Sequence, residues 1–349
     1  MQTIAAPVDW LPYVQDPAWM PHLYDARADT LVFARLTRDA HRRAVFVDRR
    51  FVGHSQQSLP MPLSELSYDA VRRARAPMHF IFHTAYCCST LLTRALDIPG
   101  VSMGIKEPAV LVSFAQHWAN ARQTPGALDA FSVTLDLLSR PLSPGETQIV
   151  KPSNVATHLI PEIFHLRPDA KALVLWSGLE TFLGAIVRRG AEGRAFARQV
   201  FQGFADAIPL DPTFSREELL IQTDLQLAAQ VWLMQMAFLG SVIRRHGSTR
   251  IRVLNSDTFL AQPARTLRAL AQHFSLALDA ERCAEIAAGP VFREHAKQPL
   301  APFDAAAHRA QNDALDEAHA SEVAVTKAWA VRLARQCDVP MTLPDTLFD

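Results

Sequence analysis

The segment MHFIFHTAYCCSTLLTRALD, Met78–Asp97, constrains the fold of this chain more than any other. A short apolar run ends in small and hydroxyl residues, and a helical pattern starts at once. Strand, turn and helix in that order place the unpaired N–H groups and partial positive charge of a helix N-terminus beside the end of a strand, which makes an anion site. Ser89 and Thr90 add two hydroxyls. The pattern G-x-x-x-x-G-K-[ST] of a phosphate loop is not matched. An ordinary strand-to-helix turn with Ser89 as N-cap satisfies the same residues.

Further apolar runs alternate with helical patterns along the chain. Thr30–Phe33, Ala44–Val47, Gln148–Lys151, Lys171–Trp176 and Arg250–Leu254 read as strands. Ser64–Ala76, Ala109–Ala121, Val155–His165, Glu180–Arg189 and Ala261–Phe274 read as helices. Asp224–His246 is a long amphipathic helix whose basic last turn, Arg244, Arg245 and His246, precedes a C-capping Gly247. Near-continuous apolar strands alternating with helices define an α/β protein with a parallel sheet covered on both faces. Residues 1–76 read as an N-terminal extension, 77–300 as the main domain, and 301–349 as a helical and loop segment that packs on it.

With 349 residues, 49% of them hydrophobic and 20% charged, the chain can bury a sizeable core. A formal net charge of +0 argues against non-specific binding to nucleic acid or acidic membranes. The first 25 residues lack a basic stretch followed by a continuous apolar one, and no run of about 18 apolar residues is seen, so neither a secretory signal nor a transmembrane helix is expected. Cys87, Cys88, Cys283 and Cys337 have no zinc-ligand spacing and form no disulfide framework. A reducing cytoplasm is the expected location, and the many Ala and Arg residues are what a GC-rich bacterial genome encodes.

Three separated segments together resemble the sulfotransferase family, which uses 3′-phosphoadenosine 5′-phosphosulfate (PAPS) as donor. FIFHTAYCCSTLLTRALD is similar to that family's strand, loop and helix; IVKPSNVATHLIPEIFHLRPDAKALVLWSGLETFLGAIV to its strand with Lys, helix and Pro-Asp-Ala turn; RIRVLNSDTFLAQPARTLRALAQHFSLAL to its late strand and helix. The resemblance implies a P-loop NTPase-like three-layer sandwich around a central parallel sheet, with the N-terminal extension added. It implies transfer of a sulfuryl group from PAPS to a hydroxyl or amine of a small-molecule, lipid or saccharide acceptor, with no metal. It places the donor on Thr84, Ala85, Tyr86, Cys87, Cys88, Ser89 and Thr90, and makes Glu107 the general base. Where the family carries a basic residue and Gly in the loop, this chain has Tyr86 and Cys88; where it carries Arg-Asp-Pro and then Ser to hold the donor's 3′-phosphate, this chain has Trp176, Ser177, Gly178 and Gly184.

The residues themselves leave several roles open. Sulfuryl transfer needs a base for the acceptor proton and stabilisation of the charge on the moving group. Lys106 and Lys151 are the nearest candidates for the missing cation, to neutralise the moving sulfuryl group, Arg94 lies one turn into the loop helix, and Arg188 with Arg189 follows Gly184, where they can replace the missing clamp. His83 reads as a base or a hydrogen-bonded structural group, Cys87 and Cys88 as packing or as reactive thiols, and Trp176 as core or a platform for adenine. Arg293, His295 and Lys297 form a late basic segment, either solvated or closing over a donor. The rival readings are an ATP-dependent phosphotransferase, against which the absent Walker lysine counts, and a non-catalytic relative.

Overall fold

The computed structural model describes residues 9–52, 57–121, 126–211, 213–293, 305–344 and 346–349. Two sheets organise them. A small antiparallel sheet contains β1 (Trp19–Asp25), β2 (Thr30–Arg35) and β3 (Ser58–Pro62), in that order. The central sheet contains β4 (Met78–His83), β5 (Ser102–Lys106), β6 (Thr147–Lys151), β7 (Ala172–Trp176) and β8 (Ile251–Asn255). Its order is β5-β6-β4-β7-β8 and every pairing is parallel.

Strand alternation builds the layers. Phe80, Phe82, Val150, Ala172 and Val174 face one side and join the larger core, whereas Ile81, Ile149, Leu173, Leu175 and Leu254 face the other and pack on Leu92, Leu267 and Phe274. Both faces are therefore apolar, which is why these strands read as continuous hydrophobic runs. β4 lies at the centre, and strand order reverses around it, so its C-terminal end is where a crevice opens.

β5 escapes the sequence reading because Gly104 and Lys106 dilute its apolar signal. Gly104 is required by packing: a Cβ there would lie 2.5 Å from the Thr93 carbonyl oxygen of the helix Ser89–Ala95. Ala44–Val47, expected as a strand, is instead an irregular link, and Val47 alone extends the sheet. Its N–H donates to the Lys106 oxygen at 2.7 Å and its oxygen accepts from Ala109 at 3.0 Å. At the opposite edge, the Thr346 and Leu347 N–H groups donate to the Val253 oxygen at 3.0 and 3.1 Å, and Thr346 Oγ1 accepts from Val253 at 3.1 Å.

The expected helix Ala261–Phe274 runs from Pro263 to Phe274 with the proline in its first turn, and Ala261 instead ends a separate short helix, Ser256–Ala261, because Pro263 cannot continue a helix but can begin one. The helix Asp224–His246 has the length and composition to cross a membrane, but most of it is buried in the protein's own core, and its N-terminus carries a Thr223–Gln226 capping box. The helices Leu179–Arg188 and Gly190–Ala205 follow β7, and a 32-residue helix, Ala305–Gln336, packs against the first of these and against Asp224–His246.

Buried charges tie the N-terminal layer to the central one. Glu146, fully buried, pairs with Arg38 and accepts from the Gly100 N–H at 2.8 Å, and Arg38 also reaches Asp97 at 2.8 Å. Arg140 is buried and donates to carbonyls of Tyr13, Val14, Asp16 and Trp19.

His79 shows how closely the sheet is packed. Its Nδ1 accepts from the Lys171 N–H at 3.1 Å, so Nε2 carries the proton and donates to the Phe274 oxygen, also at 3.1 Å. Burial pulls its pKa from 6.5 down to about 4, and burial does the same to His273. Above pH 6.5 both histidines are neutral folded or unfolded and cost nothing. As pH falls from 6.5 to about 4 the unfolded chain takes up the protons first, so stability drops across that window and levels below it. Urea unfolding at pH 7 and pH 5 should show this loss, and His79→Gln should shrink it.

Candidate functional site

A cleft of ≈ 1210 Å³ opens at the C-terminal end of β4. Its floor is the turn from His83 to Thr90. Ala85, Tyr86 and Cys88 hold φ of 65°, 50° and 61°, the left-handed conformation, although none is glycine. Such a conformation costs an L-residue roughly 1–2 kcal/mol. Cys88 is the residue immediately before the helix Ser89–Ala95, the position at which a glycine gives this conformation freely. Three left-handed residues curl the chain under the first turn of that helix, and Ser89 and Thr90 line the cleft.

The site residues expected from sequence separate into two groups. Ala85, Tyr86, Cys87, Cys88, Ser89, Thr90, Glu107 and Arg188 all line the cleft. Thr84, Lys106 and Lys151 do not. Thr84 is fully buried and structural: its N–H donates to the Leu175 oxygen at 3.3 Å and its Oγ1 accepts from the Ser177 N–H at 3.2 Å. Lys106 keeps out of the cleft because its Nζ donates to the Arg42 carbonyl at 3.3 Å. Burial, reinforced by Arg94 and Lys151, lowers its pKa to about 8 against the pull of Asp97. Arg94, which acts on Lys106, also lies outside the lining.

Lys151 ends β6 with no exposed surface. Its Nζ forms an ion pair with Glu107, lies 3.5 Å from His83 Nε2 and stands 5.2 Å above the Phe46 ring. Glu107 has a φ of 51° and is hydrogen-bonded through its N–H to the Lys151 oxygen at 2.7 Å. The end of β5 is therefore bent so that the carboxylate meets the ammonium while keeping an open side: the Glu107 side chain is 20% exposed against 1% for Lys151. Lys151 orients Glu107 and offsets its charge from behind the wall.

His83 is structural. Its Nδ1 accepts from the Ala85 N–H at 3.1 Å, which fixes the turn, and Nε2 meets the Pro152 oxygen at 3.1 Å. Cys87 is buried with its thiol on the Leu175 oxygen at 3.3 Å, and burial pushes its pKa up to about 12, so it is no thiolate nucleophile. Trp176 is buried and outside the lining, a core residue rather than a platform.

The far wall carries cations. Arg188 lines the cleft and donates to both oxygens of Asp316, at 2.6 and 2.8 Å, on the last helix. Its guanidinium lies over Gly184, where an added Cβ would meet Nη1 at 3.0 Å, so the glycine gives the arginine its room. Arg189 stacks 5.3 Å over the Tyr86 ring, which packs among Phe182 and Phe196. Arg293 also lines the cleft; His295 and Lys297 lie outside the described residues.

Sequence reasoning missed part of the lining. Phe46 and Asp48 come from the irregular stretch beside β5, Arg49 from the start of the short helix Arg49–Val52, and Glu192, Phe196 and Gln199 from the helix Gly190–Ala205. Asn154 was also missed, three residues beyond Lys151, although the C-terminal ends of parallel strands are where ligands are expected.

No family model and no curated protein matches the chain. Solved structures are similar to it at low identity. A sulfotransferase domain from the curacin biosynthetic pathway shares 13% identity at a TM-score of 0.40, covering 70% of this chain and 98% of that one. A sulfotransferase from Alicyclobacillus acidocaldarius shares 14% at 0.38, covering 76% and 97%. A Mycobacterium tuberculosis H37Rv sulfotransferase shares 11% at 0.40, covering 66% and 76%.

Relieving the turn gives a direct check on its geometry. Cys88→Gly should raise the free energy of unfolding by about 1 kcal/mol, read from the urea midpoint at unchanged slope. A loss of stability would mean that Cys88 is not held left-handed.

Proposed function

We propose that this protein transfers a sulfuryl group from PAPS to a hydroxyl or amine. The observation that carries the reading is the convergence, in one cleft, of a left-handed turn at the end of the central strand, a half-open carboxylate and five arginines, Arg188, Arg189 and Arg293 among them. The N-terminal turn of the helix Ser89–Ala95, with the hydroxyls of Ser89 and Thr90, binds the donor's 5′-phosphosulfate. Arg188 takes the 3′-phosphate in place of the family's Arg and Ser, with Gly184 leaving it space.

In the reaction the acceptor oxygen or nitrogen attacks sulfur. The new bond to sulfur forms as the bond from sulfur to the 5′-phosphate oxygen breaks, and the acceptor proton passes to the Glu107 carboxylate. The electron pair leaves on adenosine 3′,5′-bisphosphate. Lys151 keeps the Glu107 carboxylate aimed into the cleft, and the turn's N–H groups receive the charge on the leaving phosphate.

A thermal-shift panel with PAPS, adenosine 3′,5′-bisphosphate, ATP and ATP–Mg²⁺ tests the donor. A specific ligand at 100 times its Kd adds about 2.7 kcal/mol of stability. Stabilisation by PAPS and the bisphosphate supports sulfuryl transfer, stabilisation by ATP–Mg²⁺ alone supports a phosphotransferase, and no response to any of them leaves a non-catalytic protein. With PAPS bound, Glu107→Gln should leave donor affinity nearly intact and cut turnover by about 10²–10⁴.

Arg188 gives a second check. Its present partner, Asp316, must yield to an incoming phosphate. Both side chains are partly exposed, so the pair is worth little, about 0.2–1 kcal/mol. Asp316→Asn should therefore tighten adenosine 3′,5′-bisphosphate by about two- to fivefold while leaving AMP unchanged, since the difference is confined to the 3′-phosphate. Arg188→Ala should weaken the bisphosphate by about tenfold or more. Equal effects on both nucleotides would remove Arg188 from the clamp.

A further inference from the structure

We infer that Asn154 is the residue that binds the transferring sulfuryl group, a role the sequence had offered to Lys151 and Lys106. The inference rests on the donor reading above and adds a residue to it. Asn154 lines the cleft yet is only 4% exposed. Its side-chain Nδ2 is buried and has no hydrogen-bond partner among the described residues. A buried amide donor left unmade is costly, and native proteins rarely keep one without a use.

Its position is fixed by the residues before it. Lys151 turns inward to Glu107, the Pro152 oxygen meets His83 Nε2 at 3.1 Å, and the Asn154 oxygen accepts from Thr157 Oγ1 at 2.6 Å. Strand end, proline and 3₁₀ turn hold the Asn154 backbone beside the left-handed turn of β4, because β6 is β4's direct neighbour in the sheet. Neither lysine reaches the same space. Lys151 is enclosed by Glu107, His83 and Phe46, and Lys106 faces Arg42. After the end of β6, Ser153 and Asn154 both line the cleft, and of the two it is Asn154 that keeps a buried side-chain donor without a partner among the described residues.

A neutral amide suits this place. It donates to a sulfuryl oxygen and gains strength as charge builds there, but adds no second cation beside the Glu107–Lys151 pair. The sulfuryl group distinguishes PAPS from adenosine 3′,5′-bisphosphate, so the role is read as the ratio of the two affinities, by calorimetric titration of wild type, Asn154→Ala and Asn154→Asp. Asn154→Ala should lower the preference for PAPS by about tenfold with bisphosphate affinity unchanged, the loss expected for a hydrogen bond to a charged group. Asn154→Asp, of nearly the same shape but only an acceptor when ionised, should lower it further. An unchanged ratio, or an equal weakening of both nucleotides, overturns the inference while leaving the donor reading standing. Failure of wild type to bind either nucleotide overturns both.

Discussion

The buried ammonium of Lys151 is the constraint around which this site is arranged. A lysine with no exposed surface at the end of an apolar strand must have an anionic partner, or lose its proton. Glu107 is the partner, and reaching it requires a left-handed residue at the end of β5 and a hydrogen bond from its own backbone to the Lys151 oxygen. The same bend brings Val47 alongside Lys106 and Ala109, which carries Phe46 over the ammonium. One charge thus recruits the ends of two strands and a segment of the N-terminal layer into one wall.

The floor of the cleft is built on a different principle. Left-handed residues at Ala85, Tyr86 and Cys88 curl the chain beneath a helix start, and the strain is held by contacts around them. His83 Nδ1 accepts the Ala85 N–H, the Cys87 thiol is anchored to the Leu175 oxygen, and the Tyr86 ring is packed between Phe182 and Phe196 under Arg189. Backbone strain of this kind persists where surrounding structure over-determines it, and it clusters at functional sites. The non-glycine side chains Tyr86 and Cys87 have found packing roles, which explains how a left-handed turn is kept without the glycines that usually permit it.

Much of this was legible in the sequence, and the misses have physical reasons. The strands around β4 carry continuous apolar runs because both faces are covered, so β4, β6, β7 and β8 could be read directly. β5 could not, since Gly104 answers a contact with Thr93 that lies outside any local window. The left-handed turn was marked by Cys88, whose discomfort in that conformation was foreseeable from its position. Where the Lys106 and Lys151 ammonium groups end was not, because it depends on distant segments, the Arg42 carbonyl for one and the Phe46 ring for the other. Asn154 looked like any loop residue, and only its burial without a partner singles it out.

The two edges of the central sheet have a further consequence. β5 is flanked by Val47, and β8 by Thr346 and Leu347, each through main-chain hydrogen bonds. These short segments lie where another chain's strand would otherwise add. An open parallel sheet with bare edges offers a ready template for aggregation. Loosening either flank would bare main-chain donors and acceptors at a sheet edge, so changes at Thr346 and Leu347 would act first on self-association, well away from the cleft and its chemistry.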